Sequence, residues 1–376
     1  MNRIHTTVHA VTRSGDSAPE YGISRERRRG RGALSNASGR FEGNVRIETD
    51  DGWEGLGELS AFKTEVRDEI ARSIISTNDS PDISFERSIN PYRGCEHGCI
   101  YCYARPTHCY LGHSAGLDFE TKLTAKVNAA ELLEHALAAP RYVPKTIALG
   151  AVTDPYQPIE REKRITRDVL DVLSRANHPV AIVTKSSGVL RDLDILSSMA
   201  ERGLARVAVS VTTLDGTLAR AMEPRAATPK RRLQTIKALS DAGVPATVML
   251  APIIPGLNDP EIERILTAAR DHGASRAGYV TLRLPLEIKE LFREWLAAFA
   301  PDRAARVMHL VQSMHGGTDY NAAFGHRQRG SGPFAAQIAQ RFTLTVRRLK
   351  LNQPGSQLRC DLFTPPVTPG GQYQLL

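Results

Sequence analysis

From Ile83 onward, short β-branched runs alternate with longer amphipathic stretches, repeating at roughly 30-residue intervals. Strands are expected at Ile83–Ile89, Lys145–Ala151, Val180–Thr184, Ala205–Val211, Val244–Ala251 and Arg276–Leu284. Helices are expected at Asn128–Ala138, Thr166–Ala176, Val189–Arg202, Pro229–Ala242, Asp259–His272 and Leu286–Phe299. Leu132, Leu133 and Leu137 share one face of the first helix. Gly243 is placed to end the fourth helix, and Asn258 or Asp259 to cap the fifth. Near-continuous apolar strands in strict alternation with helices imply an α/β fold with a parallel, helix-covered sheet. Six such units suit either an open doubly wound sheet or a partial barrel. In both, a ligand sits at the C-terminal ends of the strands.

The flanking segments differ in character. Residues 1–80 form a polar, partly disordered extension, with Gly, Ser and Arg prominent in the first 40 and no clear pattern over 41–80. Residues 81–300 carry the repeating core. Residues 301–376 make an appended helical module, with helices around Asp302–Met314 and Phe334–Gln340, and a mobile Pro- and Gly-rich tail at Thr364–Leu376. No run of about 18 apolar residues exists, so no membrane span is expected, and the N-terminus lacks the apolar stretch of a secretory signal.

Three of the five cysteines lie in Asn90–His108, NPYRGCEHGCIYCYARPTH, at Cys95, Cys99 and Cys102. An odd total with three thiols this close is not a disulfide framework. Three thiolates on one loop can hold three irons of a [4Fe–4S] cluster and leave the fourth open to a ligand. The alternative is a structural zinc site, completed by His97 or His108. Zinc sites of this kind draw on two separated pairs of ligands, and no second pair follows. A thiolate-held cluster needs a reducing compartment, so the cytoplasm is expected.

Polar residues gather where the strands end: Thr153-Asp154, Thr184-Lys185-Ser186-Ser187, Ser210 and Thr212, Glu223-Pro224-Arg225, and Arg283. Singly each is unremarkable as a surface or filler residue. Together they put a cation, hydroxyls and carboxylates on one rim.

The CxxxCxxC run with Tyr101 before its third cysteine resembles the cluster motif of the radical S-adenosylmethionine (SAM) superfamily. Within it, Tyr101 and Tyr103 around Cys102, Thr153-Asp154, Lys185, Ser210, Glu223-Pro224 and Ala251-Pro252-Ile253 occur in the order of the spore photoproduct lyase-like branch, over roughly residues 85 to 285. That resemblance implies a partial (β/α)6 barrel of the TIM type, with Cys95, Cys99 and Cys102 on the cluster. It implies SAM contacts from Tyr101, Thr153, Lys185 and Ser210, with Asp154, Glu223 and Arg225 beside them. It also implies an electron donor such as flavodoxin or ferredoxin, and reductive SAM cleavage to a 5′-deoxyadenosyl radical that takes hydrogen from a substrate. The lyase branch carries a hydrogen-donating cysteine just ahead of the Thr153 position. Here that place is Ala151, and no cysteine lies between Cys109 and Cys360. Tyr103 and Cys109 are then the candidate hydrogen donors.

Substrate class stays open at this level. The net charge of +8, pI about 9.3, and the basic runs Arg25–Arg31 and Arg341–Lys350 favour a nucleic acid. Aromatics make up only 6%, and no basic stripe interleaved with stacking residues stands out, which leaves a protein side chain or small metabolite as the other enzyme reading. A non-catalytic zinc scaffold for RNA or protein partners is the rival from another class.

Overall fold

Burial alternates along nearly every core strand, and this period of two sets the architecture. The structure, a computed structural model, describes residues 23, 27–43, 61–355 and 357–366. Ten strands and eleven α-helices lie within them. Before the cluster loop come β1 (Glu65–Glu69), β2 (Ile75–Thr77), β3 (Arg87–Ile89) and β4 (Tyr92–Arg93). After it come α1 (Asp118–Thr121), β5 (Lys122–Lys126), α2 (Ala129–Leu137), β6 (Ile147–Leu149), α3 (Glu160–Lys163), α4 (Ile165–Arg175) and β7 (Val180–Thr184). Then follow α5 (Leu193–Glu201), β8 (Ala205–Ser210), α6 (Gly216–Met222), α7 (Pro229–Asp241), β9 (Ala246–Ile253), α8 (Ile262–Asp271) and β10 (Arg276–Thr281). The chain ends in α9 (Ile288–Phe299), α10 (Pro301–Met314) and α11 (Gly332–Arg348).

Seven strands form one sheet in the order β10-β9-β8-β7-β6-β3-β2. The six from β3 to β10 are parallel, and β2 runs antiparallel on the edge. Because β10 and β2 are opposite edges, the sheet is open, as a partial (β/α)6 barrel requires. One face, with Ile182, Val207, Val209 and Val248, packs on Leu133, Leu173, Leu196, Ile236 and Leu266 from the helices. The other face lines the lumen. A second sheet, β1-β5-β4, flanks the cluster loop.

Several expected elements shift. The first strand is shorter than Ile83–Ile89, because Asn78, Ser80 and Asp82 build a turn between β2 and β3. Asn258 and Asp259 do not cap α8. Asn258 instead donates to the carbonyls of Thr212 (2.8 Å) and Pro252 (3.0 Å) and accepts from Ile254 N, tying the ends of β8 and β9. Asp259 accepts from Gly256 N. Gly243 and Gly273 do end α7 and α8, with φ of +73° and +92°.

The basic run near the N-terminus is not wholly a free arm. Arg31 is 7% exposed and donates to Glu120 O, Phe62 O and Thr64 Oγ1. Residues 1–22 and 24–26 lie outside the described residues. At the other end, α11 is longer than expected, and Ile338, Phe342 and Val346 join the core on the outer side of the sheet. Phe363 packs on Tyr142 and His178, and Thr364 N bonds Ala176 O, so the start of the expected mobile tail is docked. Residues 367–376 lie outside the described residues.

Candidate functional site at the cluster loop

The loop from Asn90 to Gly112 is clamped from beneath by one arginine. Arg105 is fully buried and donates to Cys99 O (2.9 Å), Ala115 O, Gly116 O, Gly98 O and the Glu120 carboxylate. Glu120 also accepts the backbone N–H of Gly32 (2.8 Å) and Ala33 (2.9 Å), so the N-terminal strap is bound to the same carboxylate. Contact is close: a Cβ on Gly32 would lie 1.9 Å from Gly98 O, and one on Gly98 would lie 2.5 Å from Glu120. Gly98 also has φ of +65°, which L side chains disfavour.

Cys95 and Cys99 are buried and Cys102 is partly so, and all five cysteines are unpaired. Burial pushes the Cys95 thiol well up, with Asp154 and the other two thiols adding to it. Burial pushes Cys99 to about 12 against the opposing charge of Lys185. Free thiols in this setting stay protonated, and a bound metal displaces the protons. Among the described residues, no three His, Cys, Asp or Glu side chains are grouped as a single metal ion would need. A cluster takes one thiolate per iron at separate corners. His97, offered above as a zinc ligand, turns its Nδ1 to Asp154 at 3.4 Å. His108 is 1% exposed, with neither ring nitrogen hydrogen-bonded.

The rim residues divide into two groups. Lys185 and Ser210 are open to a ligand. Lys185 Nζ sits 5.7 Å above the Tyr101 ring, and its ammonium makes no hydrogen bond or ion pair among the described residues. Burial opposes its charge, but Cys99, Glu223 and Asp154 outweigh that and raise its pKa. Ser210 ends β8 on the lumen face with its hydroxyl unpartnered among the described residues. Thr153 is buried, donating to Tyr92 O at 3.1 Å with its lone pairs still free to accept.

Asp154, Glu223 and Arg225, expected beside SAM, are committed elsewhere. Asp154 accepts from Tyr156 N, Thr184 Oγ1 (2.7 Å), Lys185 N (2.7 Å) and His97. Burial alone would raise its pKa, yet His97 and these bonds hold it at about 2. Glu223 pairs with buried Arg232 and accepts from Tyr101 and Thr212 hydroxyls. Arg225 bonds Glu96 at 2.9 Å and Gly30 O, fastening the strap to the loop. A carboxylate whose oxygens accept this many protein donors positions the neighbours that hold them.

Of the two candidate hydrogen donors, only Tyr103 faces the mouth. It is 43% exposed, its hydroxyl donates to Ala151 O, and the Arg283 guanidinium stacks over its ring at 4.7 Å. Cys109 is not brought to the rim. It is 0% exposed, with the Gly39 backbone over its sulfur.

Residues His315–Ser331 bridge the open side of the barrel. Gln328 O accepts from Thr281 N and Oγ1 at the end of β10. Gly325 N and Arg327 bind Asp82, and Arg327 reaches Ser80, on the β2–β3 turn. This segment interleaves Tyr320, Phe324, His326, Arg327 and Arg329, so a basic and aromatic stretch is present after all. Its spacing is irregular and Gly-rich, so it forms no periodic stripe in the sequence. Arg105, Glu120 and Arg232 were also missed. Arg232 had a signal: it falls on the buried face of α7 with Leu233, Ile236 and Leu239.

Residues 89–269 match the model of the Radical SAM superfamily. The chain belongs to the radical SAM superfamily. It is a radical SAM enzyme, and its cofactors are a [4Fe–4S] cluster and SAM. The uncharacterised protein Rv2578c of Mycobacterium tuberculosis is 36% identical over 232 residues, 61% of this chain and 68% of the relative. MJ0683 of Methanocaldococcus jannaschii, also uncharacterised, is 28% identical over 173 residues, 46% of this chain and 62% of the relative. In fold the chain is similar to spore photoproduct lyase complexed with dinucleoside spore photoproduct, with TM-score 0.56, 13% identity, and 82% of this chain and 84% of that one covered. A single-substitution mutant of that lyase gives TM-score 0.55 at 15% identity, covering 76% and 79%. The partial barrel that the resemblance implied, one of the two architectures the alternation allowed, is thus the observed fold. Among the described residues no helix is long and apolar enough to cross a membrane.

Proposed function

We propose that this radical SAM enzyme abstracts a hydrogen atom from a nucleotide unit of a nucleic acid, as repair or modification. The observation that carries the radical part is the unpaired Lys185 ammonium beside the Cys99 thiol, with Ser210 on the same rim. Cys95, Cys99 and Cys102 hold the cluster. When bound, the reduced cluster and SAM supply homolysis of a carbon–sulfur bond and a 5′-deoxyadenosyl radical. Lys185 neutralises the SAM carboxylate, Ser210 and Thr153 offer hydroxyls, and the Tyr101 ring forms an apolar wall. The Glu223–Arg232 pair holds Tyr101 by its hydroxyl, and Asp154 fixes the backbone of Lys185.

Tyr103 stands in for the absent thiol. Its hydroxyl reaches the backbone of Ala151, the place where the lyase branch carries its donor cysteine. Arg283 beside it, with the Tyr320 hydroxyl in reach of its guanidinium, suits a phosphate at the mouth. An external electron donor, flavodoxin or ferredoxin, completes the cycle.

The test is anaerobic reconstitution with iron and sulfide, reduction, and addition of SAM with and without oligonucleotide. About four irons per chain, with 5′-deoxyadenosine that disappears in Cys99→Ala, is expected. Stoichiometric zinc in a colourless protein would refute it. Oligonucleotide binding that weakens steeply with salt supports the nucleic-acid part, and a salt-independent response points to a metabolite.

A further inference from the structure

The lumen face of the large sheet carries two arginines and no acid. Strand register sets Ser88, Ala148, Ala181 and Arg206 side by side across β3, β6, β7 and β8. On the same face, Thr247 of β9 pairs with Ala208 of β8 and with Arg276 of β10. No Asp or Glu occupies this face on any of the six parallel strands. Ser210 shares it too, four residues beyond Arg206, roughly 13 Å along the strand.

Both guanidinium groups are partly buried, and neither makes a hydrogen bond or ion pair among the described residues. They are near enough to interact: burial lowers the Arg206 pKa, and the charge of Arg276 lowers it further. Two like charges set together in a half-buried lumen repel, and an anion between them removes that cost. Small neighbours at Ala148 and Ala181 leave space beside Arg206, whereas Met249 fills the place next to Gly278 and the Arg276 guanidinium lies against Gly355. Two planar forks with a summed charge of two match a phosphate dianion better than a carboxylate.

We propose that Arg206 and Arg276 form a phosphate site deep in the lumen, which takes a terminal phosphate of the substrate. This rests on the reading of the chain as an enzyme acting on nucleotide units. It adds a constraint: the substrate presents an end, and that end reaches past the SAM-binding rim toward the N-terminal side of the strands. An internal nucleotide of a continuous duplex has no such phosphate.

The test is binding by the cluster-loaded full-length protein, followed by calorimetry, with inorganic phosphate, acetate at equal ionic strength, and a thymidine dinucleotide with and without a 5′-phosphate. Saturable phosphate binding is expected, with acetate inert. The 5′-phosphate should tighten dinucleotide binding at least tenfold, and Arg206→Gln or Arg276→Gln should abolish that advantage. Arg206→Lys, which keeps the charge but loses the fork, should fall between. The unliganded variants should melt no lower than the wild type, since a repulsion is removed. An advantage that survives both variants, or acetate competing as well as phosphate, overturns the site. Phosphate binding that depends on both arginines, without dinucleotide binding, would keep the site and sink the nucleotide reading instead. None of these readouts requires SAM cleavage.

Discussion

Replacing Arg105 should release the cluster loop as a unit. Its guanidinium makes five hydrogen bonds at zero exposure, four to carbonyls of the loop and its return and one to Glu120. Arg105→Ala leaves Glu120 fully buried with only two backbone donors, from Gly32 and Ala33. Removing one partner of a buried ion pair costs about 3–5 kcal/mol, mainly because the other charge is stranded. The individual bonds must not be summed as well, since the same desolvation would be counted twice. About 4 kcal/mol corresponds to a Tm fall of roughly 8 °C for a large domain. The loss is concentrated beneath Cys99, so iron retention should suffer more than global stability. Iron per chain after desalting and the thermal midpoint of the iron-free chain are measured for the wild type, Arg105→Ala and Arg105→Lys. Lysine keeps the charge near Glu120 but spans fewer carbonyls, so it should recover part of the Tm and less of the iron. Full iron loading in Arg105→Ala with an unchanged Tm would refute the clamp.

Other outcomes follow from the same geometry. Glu223→Ala strands buried Arg232 and frees the Tyr101 hydroxyl, so it should cost about 3–5 kcal/mol in urea unfolding, whereas Glu223→Ala with Arg232→Met should recover much of that. Gly32→Val drives a side chain into the Gly98 carbonyl, and limited proteolysis should then cut the strap near Arg31 faster than in wild type. His178 is fully buried and lies between Tyr142 and Phe363; burial lowers its pKa to about 4. Its unfolded form binds a proton first as pH drops from about 6.5, so stability is complete above that value and declines toward pH 4, by about 3 kcal/mol at most. His178→Gln should flatten the Tm-versus-pH slope between pH 7 and 5, and an unchanged slope would remove His178 from the account.

Sequence periodicity reached the parallel, helix-covered sheet because its strands are uninterrupted, and the resemblance supplied the barrel: Val180–Thr184 is the observed β7, and the α7 boundaries differ from expectation by one residue. It failed where side chains compete with backbone periodicity. Asn258 has the composition of a cap, yet its amide serves two strand ends, because both carbonyls there are buried and need a donor. In the site, residue type pointed to the thiols, Lys185 and Ser210, whose roles depend on one group each. Residue type did not show that Asp154 and Glu223 also carry protein partners, because a carboxylate reads the same whether it meets a ligand or a neighbouring N–H, hydroxyl or guanidinium. Arg105 and Glu120 are 15 residues apart in sequence, and only the turn of the loop back through Gly116 shows that they form one clamp.

The charges that were hardest to foresee share a pattern. Around the cluster loop each buried acid has an assigned cation or donor: Glu120 with Arg105, Glu223 with Arg232, Asp154 with His97, and Glu96 with Arg225. These pairs make the loop's framework electrically quiet. The cations left over at the mouth and in the lumen, Lys185, Arg206, Arg276 and Arg283, have no salt bridge to an acid among the described residues. The imbalance is costly at Arg206, where burial and the charge of Arg276 both lower the pKa, whereas at Lys185 the negative groups around it outweigh burial. Bound SAM would set its carboxylate near Lys185, but its ammonium and sulfonium leave it no net negative charge to offset the arginines. On the reading proposed above, that offset comes from an anionic substrate.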